Sequence, residues 1–185
     1  MLTALGLTVT LVGFVACSSS AGSAADRAFA SGTCGDLLAW RDQINGAAAS
    51  TQTRLAKAAQ TIDRRQLQAD LVGQVANLTV RLSKELLALA QATPNKTAAR
   101  SLGTTVSNQM AGIADHIASI QQRWQVLPVG SAAEYDAAKA PLRQEFTSVT
   151  NISISPSSFL PATTPSAASL VAAIRHTASC KGIMT

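Results

Sequence analysis

The sequence predicts an all-α fold, an antiparallel four-helix-type bundle with a short fifth helix at its C-terminal end, pinned by a disulfide. Apolar residues recur at helical spacing through four long segments of the chain. Alanine, the best helix former, supplies much of the 47% hydrophobic content, whereas aromatic residues reach only 4%. Residues 34–185 are expected to form this bundle as one domain, because a chain of that length can bury one core.

Helix 1 is expected over about residues 35–61, capped by Thr33 or Asp36. Apolar positions that alternate by four and three place one stripe along it. The members of this stripe are Leu37, Ile44, Ala48, Thr51, Leu55, Ala58 and Ile62. The phase breaks after Ile62, so we expect a turn there rather than one long bent helix.

Helix 2 is expected to begin at Asp63, which has capping-box spacing to Gln66. It should end at Thr93, because a residue before proline avoids the helical region. Its apolar side consists of Leu67, Leu71, Val75, Leu78, Leu82, Leu86 and Leu89.

Helix 3 is expected to follow Asn95 or Thr97 and to stop before Pro128. It carries the clearest apolar stripe of the chain, which is composed of Leu102, Val106, Met110, Ile113, Ile117, Ile120 and Trp124. Trp124 is in phase with this stripe and is therefore expected in the core.

Helix 4 is expected to begin at Ser131, which has capping-box spacing to Glu134, and Pro141 should kink or split it. Its inward positions are Tyr135, Ala138, Leu142, Phe146 and Val149. A long loop rich in Ser, Thr and Pro follows at residues 150–165. Helix 5 then runs to about Cys180, with its inward positions at Leu170, Val171, Ile174 and Thr177.

The N-terminal segment, residues 1–16, is uncharged and largely apolar, and it directly precedes Cys17. Its apolar part is too short to cross a bilayer, which takes about 20 apolar residues, but its length fits a secretory signal. Phe14-Val15-Ala16-Cys17 resembles the lipobox of bacterial lipoprotein precursors, although leucine usually stands where this chain has Phe14. The resemblance implies that residues 1–16 are a signal peptide and that Cys17 carries the lipid. Residues 17–33, with their Ser/Ala/Gly run, are then expected to be a flexible tether.

Two other outcomes remain open for this segment. An ordinary signal peptidase would cut after Ala24 or Ala25, because residues 22–25 are rich in small side chains, and would release a secreted soluble helical protein. Alternatively, the segment is an uncleaved anchor and Cys17 is incidental.

Cys34 and Cys180 are the two remaining cysteines. In an exported domain, which lies in an oxidising compartment, an even pair usually forms a disulfide. This bond would tie the first residues of the domain to the last, for which the chain-entropy treatment gives about 5 kcal/mol at most. Two separate free thiols are the alternative.

The net charge of +5 comes from scattered lysines and arginines, of which only Arg64 and Arg65 are adjacent. A nucleic-acid-binding protein would show a denser basic stripe with aromatic partners, so we expect no nucleic-acid partner. A solvated basic surface is the expected reading, and attraction to anionic lipid or acidic envelope polymers is the alternative.

No arrangement of residues in the sequence indicates catalysis, a metal site or a cofactor. His116 and His176 are both expected on the outer sides of their helices, and Asp115 points away from its neighbour His116. Neither a phosphate loop nor a glycine-rich nucleotide motif is present in the sequence. We therefore expect no enzyme.

Trp40 lies beside Leu37 and Ile44 rather than on the predicted stripe of helix 1. It is expected either to pack against helix 5 near the disulfide or to present its indole to a partner. It is the candidate residue for a partner surface.

Together these features predict a lipoprotein that is anchored to the bacterial cell membrane, outside the cytoplasm. Its expected function is that of a non-catalytic binding or interaction module, with an envelope protein or polymer as its partner. The alternative is a carrier of an apolar ligand, such as a lipid, held in the core of the bundle and covered by the loop at residues 150–165.

Overall fold

The computed structural model describes residues 22–94, 97–150 and 165–181, and all regular secondary structure in these ranges is α-helical. The predicted all-α class is therefore confirmed. Six helices follow one another: α1 Ala24–Leu55, α2 Thr61–Ala92, α3 Ala98–Gln125, α4 Ala132–Thr150, α5 Pro165–His176 and α6 Ala178–Lys181. The predicted signal peptide, Cys17 and most of the predicted loop at 150–165 lie outside the described residues.

Helix α1 begins at Ala24, well before the predicted residue 35. Ser23 caps it, because its hydroxyl accepts the backbone N–H of Asp26 at 3.0 Å. Residues 24–33 are thus helical rather than part of a tether, and Phe29 and Ala30 are buried in the core. The run of small residues indicated a tether, but alanine favours a helix and Phe29 supplies the apolar contact that holds it in place.

The predicted turn between the first two helices exists, but it lies at residues 56–60 rather than after Ile62. Helix α2 therefore starts at Thr61, and the side chain of Ile62 is 46% exposed instead of continuing the buried stripe. The predicted capping box is wrong, since the amide of Gln66 donates forward to Asp70 at 2.7 Å and not back to Asp63.

The later helix boundaries agree closely with the predictions. Helix α2 ends at Ala92, just before Pro94, and Thr97 caps α3 by accepting the N–H of Arg100 at 3.2 Å. Ser131 accepts the N–H of Glu134 in the same way, and α4 continues through Pro141 without being split. The predicted fifth helix is divided at Thr177 into α5 and α6.

Helices α2 and α3 pack closely because small residues line their contact. A Cβ atom added at Gly103 would lie 2.7 Å from the Cβ of Ala90 and 3.0 Å from the ring of Phe29. Further along, Ser83 donates to the carbonyl of Ser107 at 3.0 Å, and Ser107 donates to the carbonyl of Ser83 at 2.8 Å. Ala90 contacts Gly103, and the earlier residue Ser83 contacts the later residue Ser107. Helices α2 and α3 therefore run antiparallel.

The buried residues form two clusters that lie one after the other along the helices. The first, which we call the cysteine cluster, joins α1, the second half of α2, the first half of α3, α5 and α6, and it contains Phe29, Cys34, Trp40, Leu86, Met110, Leu170 and Cys180. The second, the tyrosine cluster, joins the first half of α2, the second half of α3 and α4, and it contains Val72, Val75, Ile117, Ile120, Trp124, Tyr135 and Leu142. The partly buried Ile44 and Ile113 contact both clusters.

Candidate binding cavity

Trp40, the candidate residue for a partner surface, packs in the cysteine cluster, which also contains Leu170 and Ile174 of α5. Its side chain is only 9% exposed, and its indole N–H donates to the Thr79 hydroxyl of α2 at 3.1 Å. Trp40 follows Leu37 by three residues and therefore shares the buried side of α1, which is composed of Phe29, Thr33, Leu37, Trp40, Ala47 and Thr51. Trp40 is on this side, whereas the predicted Ala48 is exposed.

Cys34 and Cys180 are brought together as predicted. Their sulfur atoms lie at disulfide distance, 1.98 Å, and their Cα atoms are 5.0 Å apart although 146 residues separate them in the sequence. Both side chains are buried, so α6 is held against α1 within the cysteine cluster.

His116 is exposed and joins α3 to α4 through a hydrogen bond. Its Nε2 lies 2.8 Å from Oε1 of Glu145, and Arg123 contacts the other oxygen of the same carboxylate. The hydrogen bonds from Arg123 and then from His116 lower the pKa of Glu145 below its ordinary value. These three side chains therefore connect α3 to α4. His176 is exposed at the end of α5.

A cavity of about 520 Å³ lies at the end of the helices that is remote from the cysteine pair. It is enclosed by the last turns of α1, the first half of α2, the end of α3 and the inner side of α4. Its apolar walls are Leu55, Leu71, Val72, Trp124, Tyr135 and Phe146. Its polar walls include Thr51, Gln52, Gln68 and Thr147. A volume of this order suits a small organic molecule.

Trp124 forms the inner wall of the cavity and is the most constrained residue there. Its side chain is only 1% exposed, and its ring meets that of Tyr135 edge to face with 6.5 Å between the ring centroids. The indole Nε1 is buried and has no hydrogen-bond partner among the described residues. A buried donor that lacks an acceptor costs about 1–3 kcal/mol.

The charged residues of the cavity are all basic. Arg64, Lys139 and Arg143 line it, and no carboxylate is found among its described lining residues. Lys139 pairs with Asp136 just outside and lies 5.1 Å from the centre of the Tyr135 ring. Arg143, by contrast, forms no ion pair with any described residue. The lining of the cavity therefore carries an excess of positive charge, and the guanidinium of Arg143 is available for an ion pair with a ligand.

Tyr135 remains a neutral hydroxyl in this setting. Burial raises the pKa of its phenol, and the nearby carboxylate of Asp136 adds to the rise, while Arg64 and Arg65 oppose it. No group of acidic, histidine or cysteine side chains in the described ranges could hold a metal ion. The residues of the cavity offer hydrogen-bond donors, aromatic rings and cations to a ligand.

Sequence reasoning placed Trp124, Tyr135 and Phe146 correctly on buried sides of their helices but did not predict the cavity between them. One available signal was the spacing on α4, where Lys139 and Arg143 are four residues apart and follow Tyr135 at the same interval. Three residues at this spacing share a side of the helix, so two cations had to lie beside a buried aromatic ring.

In the parts of the chain that the structure describes, every helix lacks either the length or the apolar character that crossing a bilayer requires. The chain matches no protein-family model, and no curated protein or solved structure is detectably similar to it.

Proposed function

We propose that this protein is a lipid-anchored, non-catalytic binding module of the bacterial cell envelope. In this proposal residues 1–16 are a signal peptide, Cys17 is acylated, and the helices form an antiparallel four-helix-type bundle to which α5 and α6 are attached by the cysteine pair. Its partner is a component of the envelope, a protein, a polymer or a smaller molecule.

The observation that carries the proposal is the way in which residues 22–26 fit onto α5. The backbone N–H of Ser23 donates to the hydroxyl of Ser169 at 3.1 Å, and that hydroxyl donates to the carboxylate of Asp26 at 2.6 Å. Gly22 has a φ of +74°, and a Cβ atom at this position would lie 2.5 Å from the carbonyl oxygen of Ser169. The chain thus makes specific contacts from Gly22 onwards.

These contacts favour processing upstream of Gly22. Cleavage after Ala24 or Ala25 would remove Gly22 and the capping Ser23, and it would leave the first turn of α1 uncapped, which costs about 0.5–2 kcal/mol. Cleavage before Cys17 leaves the whole junction intact. The segment from Cys17 to Gly22 spans at most about 18 Å when extended, so an acylated Cys17 would hold α5 close to the bilayer. A net charge of +5 is compatible with an anionic membrane surface.

The test is metabolic labelling of the full chain in a bacterial host with an alkyne fatty acid, followed by mass spectrometry of the mature N-terminus. We expect label in the membrane fraction on a chain that begins at Cys17, and loss of both label and membrane association in Cys17→Ala. The matched control is Cys34→Ala with Cys180→Ala, which should keep the label. A mature chain that begins at Ala25 or Asp26 would refute the anchor.

A second function, that of a ligand carrier, is favoured by the cavity. The sequence suggested an apolar ligand site within the core of the bundle. The cavity instead lies at one end of the helices, and its walls are partly basic. Extraction of the purified chain with organic solvent, followed by mass spectrometry, would identify a co-purified molecule. An extract identical to that of a mock purification would count against a tightly held ligand.

A further inference from the structure

We propose that the cavity beside Trp124 binds a small organic anion with a flat apolar body, of the class of aromatic monocarboxylates. The proposal deepens the binding function above and rests on it only for the setting outside the cytoplasm. Two features of the cavity support this ligand class: the aromatic and apolar residues of its walls and the excess of positive charge.

The walls favour a flat apolar body. Tyr135 and Phe146 of α4 and Leu71 of α2 line the same space, and aromatic rings in the wall favour a planar ligand that stacks on them or meets them edge to face. The volume of about 520 Å³ leaves room for one or two rings rather than for a lipid with two acyl chains.

The charges favour an anion over a neutral or cationic ligand. Arg64 uses its Nε to donate to the carbonyl of Ala58 at 3.0 Å, which leaves its terminal nitrogens available. Arg143 forms no ion pair with a described residue, and a guanidinium is well suited to bind a carboxylate with two parallel hydrogen bonds. A cationic ligand would meet these groups with no lining carboxylate to offset them.

The position of the cavity favours a ligand from the aqueous phase. Thr51 of the cavity lies about 40 Å along α1 from Ser23, given the rise of about 1.5 Å per residue. If Cys17 is anchored, the cavity lies at the opposite end of α1 from the point of attachment. We therefore expect a soluble carboxylate rather than the headgroup of a membrane lipid.

The test is equilibrium dialysis of the chain, purified in whatever form the cell yields it, against three probes that share one ring system. These are 1-naphthoate, 1-naphthalenemethanol and 1-naphthylmethylammonium, which differ mainly in the charge of the polar group. We expect the anion to bind most tightly, the alcohol at least about tenfold more weakly, and the cation not at all. Equal binding of the three probes, or no binding of 1-naphthoate, would overturn the proposal.

Single variants locate the binding. Arg143→Gln should weaken 1-naphthoate binding on the order of tenfold, and Phe146→Leu, which removes an aromatic ring from the wall, should weaken it severalfold. The matched control is Arg175→Gln, which removes the same charge from an exposed position on α5. If Phe146→Leu fails to fold, the exposed Arg143 still decides the question. An equal effect of Arg143→Gln and Arg175→Gln would show that only net charge matters and would refute the site.

A last measurement separates a soluble ligand from a lipid headgroup. Vesicles rich in phosphatidylglycerol are added to the dialysis compartment that holds the protein. The affinity of the protein for 1-naphthoate should stay unchanged once the partitioning of 1-naphthoate into lipid has been subtracted. Dialysis against vesicles without protein measures that partitioning. Competition by the vesicles would contradict the soluble ligand. Dialysis does not depend on acylation, so a failure of the labelling experiment at Cys17 and a failure of ligand binding are independent results.

Discussion

The indole N–H of Trp40 on α1 donates to the hydroxyl of Thr79 on α2 at 3.1 Å, and that hydroxyl donates in turn to the carbonyl of Val75 at 2.8 Å. Both side chains are buried, so this pair provides polar specificity within an otherwise apolar contact between two helices. A slip of one helix along the other would leave the indole N–H without an acceptor, which is costly in the interior. The pair therefore sets how α1 and α2 align.

We expect Thr79→Val to lower the free energy of unfolding by about 1–3 kcal/mol, because the indole N–H of Trp40 loses its acceptor while the volume of the side chain is kept. Chemical denaturation measures the change. The control is the double variant with Trp40→Phe, in which no donor is left unpaired. The double variant should be less unstable than the sum of the single variants, and simple additivity would contradict the coupling.

We expect Gly103→Ala to destabilise the protein, since its new methyl group would meet Ala90 at 2.7 Å and the ring of Phe29 at 3.0 Å. Overpacking of this kind costs about 1–3 kcal/mol. The matched control is Gly46→Ala in α1, where nothing lies within 4 Å of the new atom. That change should stabilise the helix by about 0.5–1 kcal/mol, because glycine is a poor helix former. In thermal unfolding, the Tm of Gly103→Ala should lie below that of the unchanged protein and the Tm of Gly46→Ala above it.

Removal of the cysteine pair should act on one part of the molecule. Cys34→Ala with Cys180→Ala should cost about 2–5 kcal/mol of stability. In hydrogen exchange, α5, α6 and the first turns of α1 should lose protection, while α4 and the adjoining end of α3 change little. Cys17→Ala serves as the control and should leave exchange unchanged. Rapid alkylation of Cys34 in the unreduced folded protein would contradict the bond.

The ion pairs of Glu145 should make stability fall in acid. Since Arg123 and His116 lower the pKa of Glu145 in the folded state, their contribution is fully present above the pKa of the unfolded chain. It is lost as the pH falls through the lower pKa of the folded state. Glu145→Gln should therefore flatten the acid part of a plot of stability against pH, and Glu134→Gln, at an exposed position, is the control. An unchanged acid slope in Glu145→Gln would contradict the linkage.

The sequence predicted helix α3 well because its apolar side is built from large residues, from Leu102 to Trp124, whose spacing leaves little ambiguity. It predicted the start of α1 poorly because the buried side there consists largely of alanine, threonine and cysteine, and the same small residues also occur in flexible linkers. One large residue, Phe29, distinguishes the two cases, and it lay inside the segment expected to be a tether.

The cavity was harder to predict than the helices because it is a space left between the side chains of four helices, and its size depends on how these helices pack. Periodicity shows which side of α4 is buried, but not that Tyr135 and Phe146 stop short of α1. The position of Trp40 shows the same limitation from the other side. The spacing of Trp40 from Leu37 allowed either a buried or an exposed side chain, and only the packing of α1 against α2 and α5 decides between them.

The division of the interior into two clusters affects how the molecule can open. Among the described residues, only the partly buried Ile44 and Ile113 pack against both clusters, so few apolar contacts cross the boundary between them. The half that contains Tyr135 can therefore loosen and admit a guest molecule while the half closed by the two cysteines stays folded. Such partial opening would let a ligand exchange without exposing the apolar residues of the cysteine cluster to proteases or to aggregation.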